Sequence, residues 1–204
     1  GARPIVMQGE IDIEQIALLK PDLIEAQWSG MTEKQYRLLS VIAPTLGPVV
    51  GAGDYGTSWE DMTRRLGAAT GKTAQATAIV NRLNDRFAAV RRAHPTWQGA
   101  TATMAWVGSM GAYTSKDLRG KFLENLGFDV PQALDDMASG NEYYVTIPSE
   151  DFSPIDLDVL IWLDTGGSVD KLRRLPLRFT MRAYTEGREV YVDPLLSAAL
   201  SHSS

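Results

Sequence analysis

The sequence predicts an α/β protein of two lobes joined by one long rigid helix, and three observations carry that reading. Helical and strand signals alternate along most of the 204 residues. One stretch, Thr73 to Ala93, is amphipathic for far longer than any other. A helix-then-strand phrase also occurs twice, once on each side of that stretch. The lobes are placed at 1–72 and 95–204, with the joining helix at 73–94.

The elements follow in order. Asp12 can cap a short helix whose apolar residues Ile13, Ile16, Ala17 and Leu19 fall at helical spacing. Pro21 ends it, because the ring cannot continue the hydrogen-bond ladder. Residues 22–27 read as a strand and Trp28-Ser-Gly30 as a turn. Thr32 caps a second helix that runs to about Ser40. Pro44 and Pro48 bracket a return to extended chain, and 51–56 is a glycine-rich loop. Ser58 starts a helix that Gly71 interrupts.

The long helix sets Ala76, Ile79, Val80, Leu83, Phe87 and Val90 on one face. At 1.5 Å per residue it would span ~30 Å, about the width of a small lobe. Pro95 closes it. A second α/β run comes next: a strand over 101–107, a loop over 108–114, a helix over 115–126 and a turn at Gly127. Further strands are expected over 143–147, 158–163, 178–184 and 190–192. In the repeated phrase, Glu14 aligns with Glu150, Ile16 with Phe152, Leu19 with Ile155 and Asp22 with Asp158.

Composition narrows the function classes. Hydrophobic residues make up 44% and charged ones 22%, enough to bury a real core. The net charge is −5, and without a Lys/Arg run nucleic acid is a poor partner. Cysteine is absent, which removes thiol nucleophiles, disulfides and Cys-type zinc clusters. No apolar stretch reaches 18 residues, and none of these residues reads as a signal peptide, as expected where a leader has already been removed. The histidines, His94 and His202, adjoin no nucleophile elbow and cannot form a metal cluster, so neither a catalytic residue, a metal nor a cofactor is expected. Residues 51–56 have the spacing of a GxGxxG loop but no helix starting directly from the glycines, so a phosphate cradle is not expected.

The phrase running from Ile13 to Ile24, with Glu14, Lys20, Pro21 and Asp22, resembles the signature of the periplasmic siderophore-binding family. Residues 29–45 continue it without a gap, and Trp59, the 65–72 run, 126–131 and 187–192 fit the same order. The resemblance implies a helical-backbone binding protein of an ABC importer, exported to the periplasm or the outer face of the cytoplasmic membrane. Its ligand would be a ferric siderophore held in the cleft between the lobes. Haem or cobalamin, in the same fold, is the alternative. The partner would be the ABC permease, and any lipid anchor would lie outside this chain. Against the family pattern the chain reads as truncated at both ends, lacking a leading βαβ unit and a last helix.

Ligands of open α/β sheets sit beyond the carboxyl ends of the strands. That rule selects Gln27, Trp28, Ser29 and Tyr55 in the first lobe, and Ser109, Met110, Tyr113, Asp164 and Thr165 in the second. A bulky, partly aromatic ligand would be held by aromatic faces, hydroxyls and arginines. Trp28 heads the candidates, with covering its own lobe as the plainer role. Tyr113 has the same two readings, and Tyr55 could be an ordinary surface tyrosine. Arg178 and Arg182 would share one strand face, either meeting an anion or facing water. The family resemblance further implies that Glu14 and Glu150 dock into arginine pockets of the permease. Each also suits the first turn of a helix.

Overall fold

The computed structural model describes residues 4–7, 9–53, 55–138, 143–164 and 168–201. His202 and Thr165 lie outside the described residues. The chain divides into two compact units, Gly1–Asn84 and Asp85–Ser203, with the division inside the long helix.

The first unit begins with α1 (Ile13–Leu19), where the Asp12 carboxylate accepts the Gln15 N–H at 2.9 Å and caps the helix as expected. Strand β1 is only Ile24–Glu25, shorter than its apolar run suggested. Helix α2 (Glu33–Ile42) starts in a full capping box, Thr32 and Gln35 satisfying each other's backbone N–H groups. Strand β2 (Thr45–Leu46) pairs in parallel with β1. Ile24, Met31, Leu39 and Ala43 form the core, with Ile11, Ile13, Ile16, Ala26 and Ile42 around it. Helix α3 (Trp59–Ala69) is capped by Ser58 and leads into α4 (Thr73–Ala93). Ala76 and Val80 on α4 are buried, while Ile79, Leu83, Phe87 and Val90 are half-buried. The face read from the sequence is therefore the face that is covered.

The second unit is a five-stranded mixed sheet in the order β5-β4-β3-β6-β7. Strands β3 (Ala102–Trp106), β6 (Val159–Leu163) and β7 (Glu189–Val192) run parallel. Strands β4 (Gly111–Tyr113) and β5 (Tyr144–Thr146) form an antiparallel edge. Around them stand α5 (Leu118–Leu126), α6 (Gln132–Met137), α7 (Ser168–Leu172), α8 (Arg182–Thr185) and α9 (Pro194–Ser201). The sheet core includes Ala105, Leu134, Ile155, Leu160 and Trp162, each 0% exposed.

Three expectations need correction. The loop expected over 108–114 contains β4, whose three residues are too few for a periodic signal. Helix α5 starts at Leu118, later than expected, because Asp117 turns out to be its N-cap. The strand expected over 178–184 is helical instead: a 3₁₀ turn, Pro176–Thr180, then α8. Pro176 fixes its own φ and opens the 3₁₀ turn. The Asp156 carboxylate accepts the N–H groups of Arg182 at 3.0 Å and Ala183 at 2.9 Å, which starts the helical turn. The alternation of Arg178, Phe179, Met181 and Arg182 was a helical pattern too short to tell from a strand.

The repeated phrase is visible in outline. Around Glu150 the chain forms only a 3₁₀ turn, Ser153–Ile155, before β6, where α1 makes two turns before β1. Asp158 locks the start of β6 to β3: its carboxylate accepts the Thr101 N–H and hydroxyl, both at 2.9 Å, while its own N–H donates to the Thr101 hydroxyl at 3.0 Å. The Thr101 bonds, backbone first and hydroxyl second, hold the Asp158 carboxyl below its ordinary value of 3.8; burial opposes them, and Arg188 adds a smaller lowering. A carboxyl with a lowered folded-state pKa contributes stability above its unfolded value and loses it as pH falls through the folded value. Because the side chain is 45% exposed, the contribution is small, at most ~1 kcal/mol. Urea unfolding should show Asp158→Asn less stable than the parent at pH 7, with the gap closing as pH falls below the ordinary carboxylate range.

Candidate functional site

In the first unit, the loops after β1 and β2 meet. The Trp28 and Tyr55 rings pack edge to face, with centroids 5.4 Å apart and planes at 75°. The Tyr55 N–H donates to the Ser29 carbonyl at 3.3 Å, and the Ser29 hydroxyl donates to the Ala26 carbonyl at 2.8 Å. Tyr55 has φ of 55°, a left-handed conformation that costs an ordinary residue ~1 kcal/mol or more. Its ring is still 45% exposed, so this strained position holds an aromatic face at the surface. Gly56 allows the return of the loop, since a Cβ there would overlap the Ala52 carbonyl oxygen.

Gln27 is 0% exposed; its side-chain amide donates to the Met62 carbonyl at 3.1 Å and to Glu25 at 3.3 Å. It is therefore a brace between β1 and α3 rather than a surface contact. The Gln27 Oε1 and Trp28 Nε1 atoms are both shut off from solvent and lack a partner among the described residues. Such atoms are uncommon, and each costs about 1–3 kcal/mol.

In the second unit, Trp106 ends β3 and its ring lies across β4. It meets Tyr113 with centroids 4.7 Å apart and Tyr144 at 5.8 Å. Tyr113 and Tyr144 are directly paired residues of β4 and β5. Gly111, opposite Trp106, is required: a Cβ there would overlap the indole. Tyr144 is 45% exposed while Trp106 and Tyr113 are half-buried, so three rings make one partly open aromatic platform. On the Tyr113 ring rests Arg119, its guanidinium carbon 4.0 Å from the centroid. Arg119 is itself held by Asp117, at 2.7 Å to both carboxylate oxygens, and by the Leu200 carbonyl at 2.7 Å. Burial pushes the Tyr113 phenol above its ordinary value of 10.0; the Arg119 charge opposes this, while Asp117 and Tyr144 add to it.

The other candidates fall elsewhere. Met110 packs on the sheet core, and its carbonyl accepts the Ile147 N–H at 3.0 Å, so it extends the antiparallel pairing of β4 with β5. Ser109 is exposed, and the Asp164 N–H donates to the Ser197 hydroxyl at 2.8 Å. Arg182 is exposed on α8, anchored beside Asp156 at the amino end of β6, the end opposite Trp106. Arg178 is buried and bound by Glu189 through Nη2 at 2.7 Å and Nε at 3.0 Å, with Tyr191 as a further partner. The Trp162 indole N–H donates to the same Glu189 at 2.7 Å, and Tyr184 covers the guanidinium at 4.4 Å. Arg178 is thus a core ion pair, and the shared strand face with Arg182 does not exist. Glu14 and Glu150 are both exposed.

A hollow of about 390 Å³ is lined by Arg91, Gln98, Glu124, Gly127, Phe128 and Asp129. It lies at the amino end of β3, where the Asp129 carbonyl accepts the Ala102 N–H, and so apart from the aromatic platform. His94 lies flat on Trp97, 4.1 Å between centroids. Among the described residues no group of three or more His, Asp or Glu is placed to hold a metal ion.

The family model described as Periplasmic binding protein matches residues 6–195. The chain belongs to that family. Its fold is shared by a periplasmic solute-binding protein from Mycobacterium smegmatis, 29% identical with a TM-score of 0.78, over 98% of this chain and 70% of that one. PiaA from Streptococcus pneumoniae TIGR4 in complex with ferrichrome is 25% identical with a TM-score of 0.74, over 93% and 66%. FeuA from Bacillus subtilis, a triscatecholate siderophore-binding protein complexed with ferri-bacillibactin, is 21% identical with a TM-score of 0.70, over 91% and 67%; at that identity the likeness concerns the fold. The chain spans about two thirds of the length of these relatives. No curated protein matches it.

In open α/β sheets, ligands sit beyond the carboxyl ends of the parallel strands. Trp28 and Tyr55 follow β1 and β2, and Trp106 ends β3. Two residues of the aromatic platform, Trp106 and Tyr144, together with Arg119 above it, were not singled out from the sequence. The carboxyl-end rule, applied to the last residue of the strand as well as to the loop after it, would have found Trp106. Tyr144 could not be found without knowing that β4 pairs with β5.

Proposed function

We propose that this protein binds a ferric siderophore outside the cytoplasmic membrane, delivers it to an ABC permease, and catalyses no reaction. The observation that carries the reading is the aromatic group each unit presents near its parallel strand ends: Trp28 with Tyr55, and Trp106 with Tyr113 and Tyr144. Rings of this kind suit the organic shell of a complex whose iron is already fully coordinated. The similarity to PiaA in complex with ferrichrome supports the same ligand class. Met110 and Arg182 have no part in this reading.

The haem reading is weaker at one point. A tyrosine that ligates ferric haem does so as the phenolate, and burial works against that form at Tyr113. Titration with ferric siderophores should quench the tryptophan fluorescence to saturation, and incubation with hemin should leave its Soret band where it stands for free hemin. A shifted, sharpened Soret band with no quenching by siderophores would overturn the proposal.

Glu14 and Glu150 are proposed as permease contacts, one exposed acid in each unit at matching places in the repeated phrase. Glu14→Ala and Glu150→Ala should leave ligand affinity unchanged while lowering siderophore-stimulated ATPase of the reconstituted transporter at least threefold, in line with rim charges that act on association. Unchanged stimulation by the double variant would remove the role.

A further inference from the structure

We infer, resting on the siderophore reading above, that the preferred ligand is a ferric complex without net negative charge, of the tris-hydroxamate class rather than the tris-catecholate class. Three hydroxamates balance the charge of ferric iron, whereas three catecholates leave a trianion. A trianion taken out of water needs unneutralised cations at its contact surface, because desolvating a charge without a partner is costly.

Among the described residues the aromatic surfaces supply no such excess. At the platform of the second unit the nearest cation is Arg119, but both oxygens of Asp117 lie 2.7 Å from its Nη1, and its Nε is committed to the Leu200 carbonyl. Arg119 is 8% exposed and Asp117 5%, so the pair is a neutral, buried unit whose task is to hold the Tyr113 ring. Lys116, before α5, is exposed, where water and salt screen it.

Other arginines of this unit are used elsewhere, Arg173 among them, paired with Asp170 at 3.4 Å. Arg178 is bound to Glu189. Arg188 pairs with Asp158 at 3.1 Å and Glu186 at 2.7 Å, and with Arg182 it sits at the amino ends of the strands. In the first unit Arg65 donates to the Gly47 carbonyl at 2.7 Å, at the end of β2. Glu25, paired in register with Leu46 one residue before Gly47, is exposed and acidic. The whole chain carries −5, which adds a long-range repulsion toward anions.

The test is calorimetric titration of the whole chain with ferrichrome, an uncharged ferric tris-hydroxamate, and separately with ferri-bacillibactin, a ferric tris-catecholate. Ferrichrome should bind roughly 100-fold more tightly, as expected when a like-charge approach costs a complex affinity. Its Kd should change less than about threefold between ~0.02 M and ~0.5 M sodium chloride, because a neutral ligand offers nothing to screen. Equal or tighter binding of ferri-bacillibactin, or a tenfold loss of ferrichrome affinity in high salt, overturns the charge inference and leaves the siderophore reading standing. Binding of neither complex overturns both.

Discussion

Replacing Trp106 with alanine is expected to weaken ferric-siderophore binding by about 2 kcal/mol, roughly 30-fold in Kd, the scale of a central aromatic contact. The indole is the middle ring of the platform, touching both Tyr113 and Tyr144. Gly111→Ala should produce a similar loss without changing any ring, because the new Cβ occupies the place of the indole and turns it off the sheet. Isothermal titration of both variants checks the pair. Far-UV circular dichroism should stay unchanged, since Trp106 is only half-buried and ends its strand. Full affinity in Gly111→Ala would mean that the indole position does not matter.

Arg178→Met is expected to lower the stability of the second unit by about 3–5 kcal/mol, the cost of leaving a buried carboxylate without its cation. The Glu189 side chain is 5% exposed, and its other partners are the Trp162 indole N–H and the Tyr191 hydroxyl. Adding Glu189→Gln to Arg178→Met removes the stranded charge while keeping an acceptor for Trp162, so it should recover at least half of the loss. Urea denaturation with an unchanged m-value reads both effects. If Arg178→Met proved neutral, the network would not be a source of stability.

The contrast between Arg178 and Trp106 shows what the sequence made legible. Long or capped elements were readable: α1 from Asp12, α2 from Thr32 and α4 from its six-residue apolar face. Short elements were not. Three residues of β4 and four of α8 carry too little periodicity to declare a type, so a helical arginine pair read as a strand face. At the site, the rule about strand ends found Trp28, Tyr55 and Tyr113, but not that the first two pack together, nor the Trp106 and Tyr144 rings that join Tyr113. Trp28 and Tyr55 are separated by a helix and a strand, and only parallel pairing of β1 with β2 brings their loops together. The burial of Arg178 depends on Glu189, a residue on another strand that no local pattern connects to it.

The central claim is that the aromatic groups of Trp28 and Trp106 touch the siderophore. The chain has five tryptophans, so protein labelled with 5-fluorotryptophan gives one fluorine resonance for each. Ferric iron is paramagnetic and broadens nearby resonances, while the gallium complex of the same siderophore does not. Addition of ferrichrome should broaden Trp28 and Trp106 first, with gallium ferrichrome shifting the same two lines. The lines of Trp162, which is 0% exposed in the core, and Trp97, stacked between His94 and Phe128, should persist. Persistence of the Trp28 and Trp106 lines at saturating ligand, or broadening confined to other tryptophans, would contradict it.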